Sequence, residues 1–195
     1  MLQGELYGAA REDGRRRFYT LHDKLCRKDV LMDAWKLVAE NKGVAGVDRQ
    51  TIEGIIGYGL ERFIDELAQE LADGTYTVGQ VLRVYIPKPN GKQRPLGIPT
   101  VRDRIVQQAV KLLIEPIFEP DFQDFSYGYR PNRSAEQASK EIVQYINFGL
   151  TQVVDVDIEG FFDHISHGKL IGFVMERIAD GYIIKLIREW LRVAA

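Results

Sequence analysis

The sequence is short of cysteine: Cys26 stands alone among 195 residues, which excludes an internal disulfide and a cysteine-based zinc site. A reducing cytoplasm is the expected location. Histidine is scarce as well, with three residues, and the pair His164 and His167 reads as capping or packing at a helix start rather than as zinc ligands. No apolar run approaches the length of a bilayer span, and the N-terminus lacks the apolar centre of a signal peptide, so a soluble chain without a membrane partner is expected. There is no internal repeat and no low-complexity linker. Nor is there an excess of positive charge: 26 basic against 28 acidic side chains give a net charge of -2, unlike many nucleic-acid-binding domains. What the chain does have is a 45% hydrophobic content, enough for one full core or two small lobes.

The charge is unevenly placed. Arg83, Lys88, Lys92, Arg94, Arg102 and Arg104 crowd one stretch against Asp103 alone, while acids collect between Glu53 and Asp73, a segregation that can steer a polyanion to one face. Residues 1 to about 17 are polar, and Arg15, Arg16 and Arg17 read as a solvated arm, with contact to phosphate as the alternative. Apolar spacing predicts a helix from Asp29 through Leu31, Ala34, Trp35 and Val38, capped by Asp29, and a second through Leu60, Phe63, Ile64, Leu67 and Leu71, closed at Gly74. Between them, residues 42–48 form a glycine-punctuated loop suited to bringing backbone close to a ligand. From Leu82 the period changes to two and predicts a β-hairpin, with Asn90-Gly91 as a tight turn and a return strand through Arg94 and Leu96. Lys88, Lys92 and Arg94 then read either as a phosphate clamp or as charged protection of an exposed edge. A strict two-residue turn pairs Lys88 with Gln93 and puts Arg94 on the opposite face.

Thr100 with Asp103, and Ser134 with Gln137, have capping-box spacing. The first opens a helix through Val101, Ile105, Ala109, Leu112 and Leu113 as far as Pro116, and its first turns carry Arg102 and Arg104 as an extension of the basic surface. The second opens a helix with Ala138, Ile142, Tyr145 and Ile146 on one stripe. Between them lies an aromatic-rich irregular stretch, Asp121 to Pro131, with Arg130 and Arg133 at hand. Aromatics interleaved with arginine suit a single-stranded nucleic acid, and ordinary loop packing explains them equally well. The β-branched run Val153 to Ile158 predicts a buried strand with Asp155 and Asp157 on one face. Carboxylates so placed need a cation: either a salt bridge or half of a two-metal Mg²⁺ site. Helical stripes through Leu170, Phe173, Val174 and Ile178, and through Ile184, Ile187 and Leu191, follow.

Four stretches, in order, resemble a known family: Gly43-Val44-Ala45-Gly46-Val47-Asp48, the run from Tyr85 to Pro99, Ser126-Tyr127-Gly128-Tyr129-Arg130-Pro131, and Val156-Asp157-Ile158-Glu159-Gly160-Phe161-Phe162-Asp163. From about Leu21 to its end the chain resembles the N-terminal part of a group II intron-encoded reverse transcriptase, also called a maturase. The resemblance implies an α+β fold. Right-hand polymerase fingers would span 21–150, and an incomplete palm with a short buried strand would span 151–195, behind a polar N-terminal arm at 1–20. It also implies an RNA-directed DNA polymerase using two Mg²⁺ ions, with intron RNA as template, a DNA primer and dNTP as partners. Asp157 matches the first catalytic aspartate, a metal ligand assisted by the Ile158 carbonyl, and Phe162 matches the aromatic beneath the incoming sugar. Lys88 and Arg94 match the fingers residues that grip the triphosphate. The candidates for nucleic-acid contact are Arg83, Lys92, Arg102, Arg104, Tyr129, Arg130 and Arg133, while Asp155 and Asp163 match no catalytic position. The family's Tyr-x-Asp-Asp turn does not occur here, so the chain alone is expected to be inactive. The alternative is an RNA-binding maturase module that assists splicing without catalysis. An open palm edge carries the further expectation of self-association.

Overall fold

Each apolar stripe with a 3.6-residue period becomes a helix, and the one alternating stretch becomes a hairpin. A computed structural model describes residues 2–87, 91 and 93–194. In chain order these form α1 (Leu2–Glu12), α2 (His22–Leu25), α3 (Lys28–Glu40), α4 (Ile52–Tyr58), α5 (Leu60–Ala72), β1 (Leu82–Pro87), β2 (Gln93–Ile98), α6 (Val101–Phe118), α7 (Ala135–Asn147), α8 (His167–Arg177) and α9 (Gly181–Ala194). Among the described residues the only sheet is the antiparallel pair β1–β2, so helices plus one small sheet give an α+β architecture.

The core is built on α6. Ile105, Val106, Ala109, Val110, Leu113 and Ile117 line its buried stripe, with α1 and α3 packed against it. Thr100 caps its start, accepting from the Asp103 amide at 3.0 Å as the spacing predicts. The helix does not stop at Pro116 but runs on to Phe118. Proline removes the amide that would have bonded the Leu112 carbonyl, and the Gln3 side chain of α1 donates to that carbonyl instead, at 3.3 Å. α3 starts two residues earlier than expected: Arg27 is its cap position, and Asp29 sits in the first turn, where it receives the Arg27 guanidinium at 2.6 and 2.9 Å.

Residues 2–20 pack against the rest of the chain. Leu6 and Ala10 of α1 are buried, and Phe18 forms an isolated parallel bridge with Ile178. Two buried charged side chains fasten this segment to the C-terminal helices. Asp180 accepts the amides of Leu21 and His22, both at 2.9 Å, and those of Tyr182 and Ile183 at 3.0 and 3.2 Å, so one carboxylate caps two helices. Arg177 donates to the carbonyls of Ala10 and Ile117 at 3.1 and 3.3 Å, at the C-terminal ends of α1 and α6, and pairs with Asp121 at 2.9 Å. Ile171, Ile178, Ile183, Ile184 and Leu186 therefore share one core with the helices before them.

The buried palm strand is absent. Residues 151–158 carry no regular structure, and Val153, Val154, Val156 and Ile158 are exposed, Val154 at 87%. A strand needs a neighbour for its amides and carbonyls, and among the described residues no third strand lies beside this one.

Candidate nucleic-acid interface

The hairpin stands out from the core with nearly every residue exposed. Its register pairs Pro87 with Gln93, Ile86 with Arg94, Tyr85 with Pro95 and Arg83 with Gly97. The strict two-residue turn is thus not realised, because Pro87 rather than Lys88 faces Gln93. Proline has no amide to extend the ladder, which suits the end of a strand. Arg94 shares a face with Val84, Ile86 and Leu96, and Arg83 lies on the other face with Tyr85. Lys88, Asn90 and Lys92, expected at the tip, lie outside the described residues; Gly91 has φ of 78°, a conformation that favours glycine.

The base of the hairpin is locked. Asp103, 2% exposed at the start of α6, accepts from the Tyr76 hydroxyl at 2.5 Å, the Thr100 hydroxyl at 2.8 Å and the Gly79 amide at 3.1 Å. Burial, then the Asp103 charge, pushes the Tyr76 hydroxyl well above its ordinary range and keeps it a donor. A Cβ on Gly79 would meet the Asp103 carboxylate at 2.8 Å, so glycine is needed there. The same holds at Gly46, whose added Cβ would meet the Thr100 backbone at 2.8 Å. The loop at 43–48 thus brings its backbone close to the start of α6. Of this lock, sequence reasoning found the cap but missed Tyr76, which belongs to no periodic stripe; its one signal is an isolated aromatic between Gly74 and Gly79.

The cations on the first turns of α6 are tied to neighbouring segments. Arg102 is half-buried, paired with Glu70 and stacked 5.4 Å from the Tyr76 ring centroid. Arg104 donates to the Val44 carbonyl at 2.5 Å. Burial draws both guanidinium pKa values below their usual range. Both cations are committed to holding the protein together.

Arg130 is committed too. It forms hydrogen bonds with the Glu119 carboxylate, closest at 2.7 Å, and with the carbonyls of Gln123 and Ser126 at 2.7 and 2.8 Å, and lies 5.0 Å from the Phe122 centroid. Arg133 has a looser ion pair, 3.8 Å from Asp124. Tyr129 is 95% exposed. Arg94 has no ion-pair partner among the described residues.

Asp157 is exposed within residues 151–158, and Phe162 is exposed in a single 3₁₀ turn, Phe162–His164, with its ring edge-on to Phe161 at 5.4 Å. Among the described residues, no group of three or more histidine, cysteine, aspartate or glutamate side chains comes together to hold a metal. Asp157 and the Ile158 carbonyl offer one carboxylate and one carbonyl, whereas a pair of Mg²⁺ ions needs further carboxylates to bridge and hold it. The residues present do not by themselves fit a two-metal centre.

An exposed hairpin with basic residues in its sequence stands on a helical base and is followed by an acid-bearing β-branched segment. A family model described as reverse transcriptase (RNA-dependent DNA polymerase) matches residues 86–195, more than half the chain, and the chain belongs to that family. Within it, the similarity is to proteins encoded by group II introns. The chain is 39% identical over 178 residues to the group II intron-encoded protein LtrA of Lactococcus lactis, covering 90% of this chain and 29% of that protein. It is 35% identical over 200 residues to protein YkfC of Escherichia coli, covering 98% of this chain and 51% of that one. Identity is 24% over 170 residues to a mitochondrial nuclear intron maturase of Arabidopsis thaliana, covering 85% and 19%. The chain thus spans about half or less of these relatives' length.

Proposed function

We propose that this chain supplies the nucleic-acid grip and the first catalytic carboxylate of an RNA-directed DNA polymerase of the group II intron type. The observation that carries this reading is the anchored hairpin: an exposed two-stranded arm, fixed at its base by Asp103, with Arg83 and Arg94 on its two faces. Lys88 and Lys92 belong to the same arm by sequence. Cations held this way meet the phosphates of an intron RNA template or of dNTP, with Arg94 able to bind oxygens in a fork. Asp157 contributes one carboxylate to a metal site that further carboxylates must complete, opposite a DNA primer terminus, and Phe162 lies beneath the incoming sugar. Bound Mg²⁺ would supply charge neutralisation for nucleotidyl transfer. With that centre incomplete, the chain alone does not polymerise.

A second reading, an RNA-binding maturase module, is favoured by one contrast: the hairpin is anchored, whereas Asp157 lies on an unsupported segment. The test for both is RNA binding and primer extension by the chain and its Asp157→Asn variant. Unchanged binding with no extension is expected. Extension by the purified chain that Asp157→Ala abolishes would overturn the inactivity, and loss of binding in Asp157→Asn would overturn the separation of grip from chemistry.

A further inference from the structure

Tyr129 is displayed in a way that packing does not explain. Its backbone has φ of 57°, a left-handed conformation that bulky side chains rarely adopt, and Asn132, three residues on, has φ of 58°. Such geometry persists only where the surroundings impose it. Here Arg130 imposes it. Its guanidinium, with a side chain 6% exposed, ties Glu119, the Gln123 carbonyl and the Ser126 carbonyl together beneath the loop. The Tyr127 hydroxyl fastens the same loop to Glu141 of α7. The result is a rigid turn that turns one arginine inward and one tyrosine outward. Among the described residues the Tyr129 ring makes no hydrogen bond and no ring contact. A bare ring carried on a tied loop, in a left-handed backbone conformation, is placed for something flat to lie on it.

We infer that Tyr129 is a stacking platform for one unpaired base of a single-stranded RNA, positioned by Arg130, with Arg133 as the adjacent phosphate contact. This rests on the nucleic-acid reading above and adds to it a binding mode away from the hairpin. A base fits better than an apolar protein side chain because the residues next to Tyr129 in sequence, Gly128, Arg130, Pro131, Asn132 and Arg133, are polar or small. Arg133 is the less firmly held cation: its ion pair with Asp124 is long at 3.8 Å, and its other contact is the face of the Tyr127 ring, 5.5 Å from the centroid.

The test is binding of a single-stranded RNA oligonucleotide carrying 2-aminopurine, across a salt series, by the parent chain and by Tyr129→Phe, Tyr129→Gly and Arg133→Gln. Glycine adopts this backbone freely, so the Tyr129→Gly variant should melt at or above the parent's midpoint. It should bind RNA on the order of 5- to 150-fold more weakly with an unchanged salt slope, as loss of stacking requires. Tyr129→Phe should bind within about twofold of the parent, and Arg133→Gln should lower the salt slope by about 0.7. Tyr129→Gly binding as tightly as a binding-competent parent would overturn the platform and point to a protein contact instead. A parent that binds no RNA would sink the underlying reading. Should Tyr129→Gly lose its fold, Tyr129→Trp decides: quenching of the added fluorescence by RNA supports stacking, and no quenching contradicts it.

Discussion

Helices α6 and α7 start from the same kind of signal and end in opposite situations. Both open on a capping residue: Thr100 accepts from the Asp103 amide, and Ser134 and Gln137 complete a full reciprocal box at 2.9 and 3.2 Å. Both carry an apolar stripe. Yet α6 buries that stripe at the centre of the core, whereas α7 has no buried residue, and its Ile142, Tyr145 and Ile146 are exposed along with Phe148 and Leu150 beyond its end. Local sequence starts a helix, but only a neighbouring surface makes its apolar face count. The same division runs through the proposed function: the proposed grip rests on the packed region, and Asp157, the proposed first catalytic aspartate, on the open one.

The largest way to break this comparison is to delete matching side chains on the two helices. Leu113→Ala in α6 should cost about 3–4 kcal/mol, from lost transfer energy plus a cavity, while Ile146→Ala in α7 should cost less than about 1 kcal/mol. Urea unfolding of both variants measures the difference, and equal costs would mean that α7 is packed after all. Asp180→Ala should come close to the first, at roughly 3 kcal/mol, because four backbone donors lose a charged acceptor. Asp180 also sets an acid limit. Burial alone would raise its pKa, but its four backbone donors outweigh this and hold it below the usual carboxylate range. Its contribution is therefore fully present above about pH 4 and fades as pH falls through the lower folded value. Asp180→Asn should flatten the acid limb of a stability profile.

Smaller effects sharpen the comparison. Tyr76→Phe removes one of the three side-chain and backbone donors to Asp103 besides its own cap and should cost about 1–2 kcal/mol, with faster exchange of the hairpin amides as the specific sign. Replacing Ile142 and Ile146 together by asparagine should leave stability within about 0.5 kcal/mol. Association between copies through that apolar face should fall, read as a lower mass by light scattering at high concentration. Mass independent of concentration in the parent would remove the expectation. Arg94→Gln should change the fold least and lower the salt slope of RNA binding by about 0.7 to 0.9.

Much of this was legible in the sequence, because periodicity and caps are local. The helices through Leu31 and Trp35, through Phe63 and Leu67, and through Ile105 and Leu113 lie where their stripes put them. The hairpin was readable from alternation, though not its register, which Pro87 shifts by one residue. What failed depended on contacts distant in sequence. α1 reads as polar because it buries only Leu6 and Ala10, and nothing local shows that Asp180 and Arg177 reach back to fasten that end. Arg102, Arg104 and Arg130 look like nucleic-acid contacts in sequence, and only their partners Glu70, Val44 and Glu119 reveal them as internal ties. The strand at 153–158 has the right residues, but a strand is a relation between two segments. The family was legible from motifs whose glycines turn out to be packing devices, as at Gly46.

Hydrogen exchange of backbone amides tests the central contrast most directly. The amides of α6 should exchange slowly, limited by opening of the whole fold, while those of residues 151–158 should exchange close to the rate of an unfolded chain. Protection of 153–158 comparable to that of α6 would contradict the account, since it would mean that the segment bearing Asp157 is paired and its carboxylate already housed.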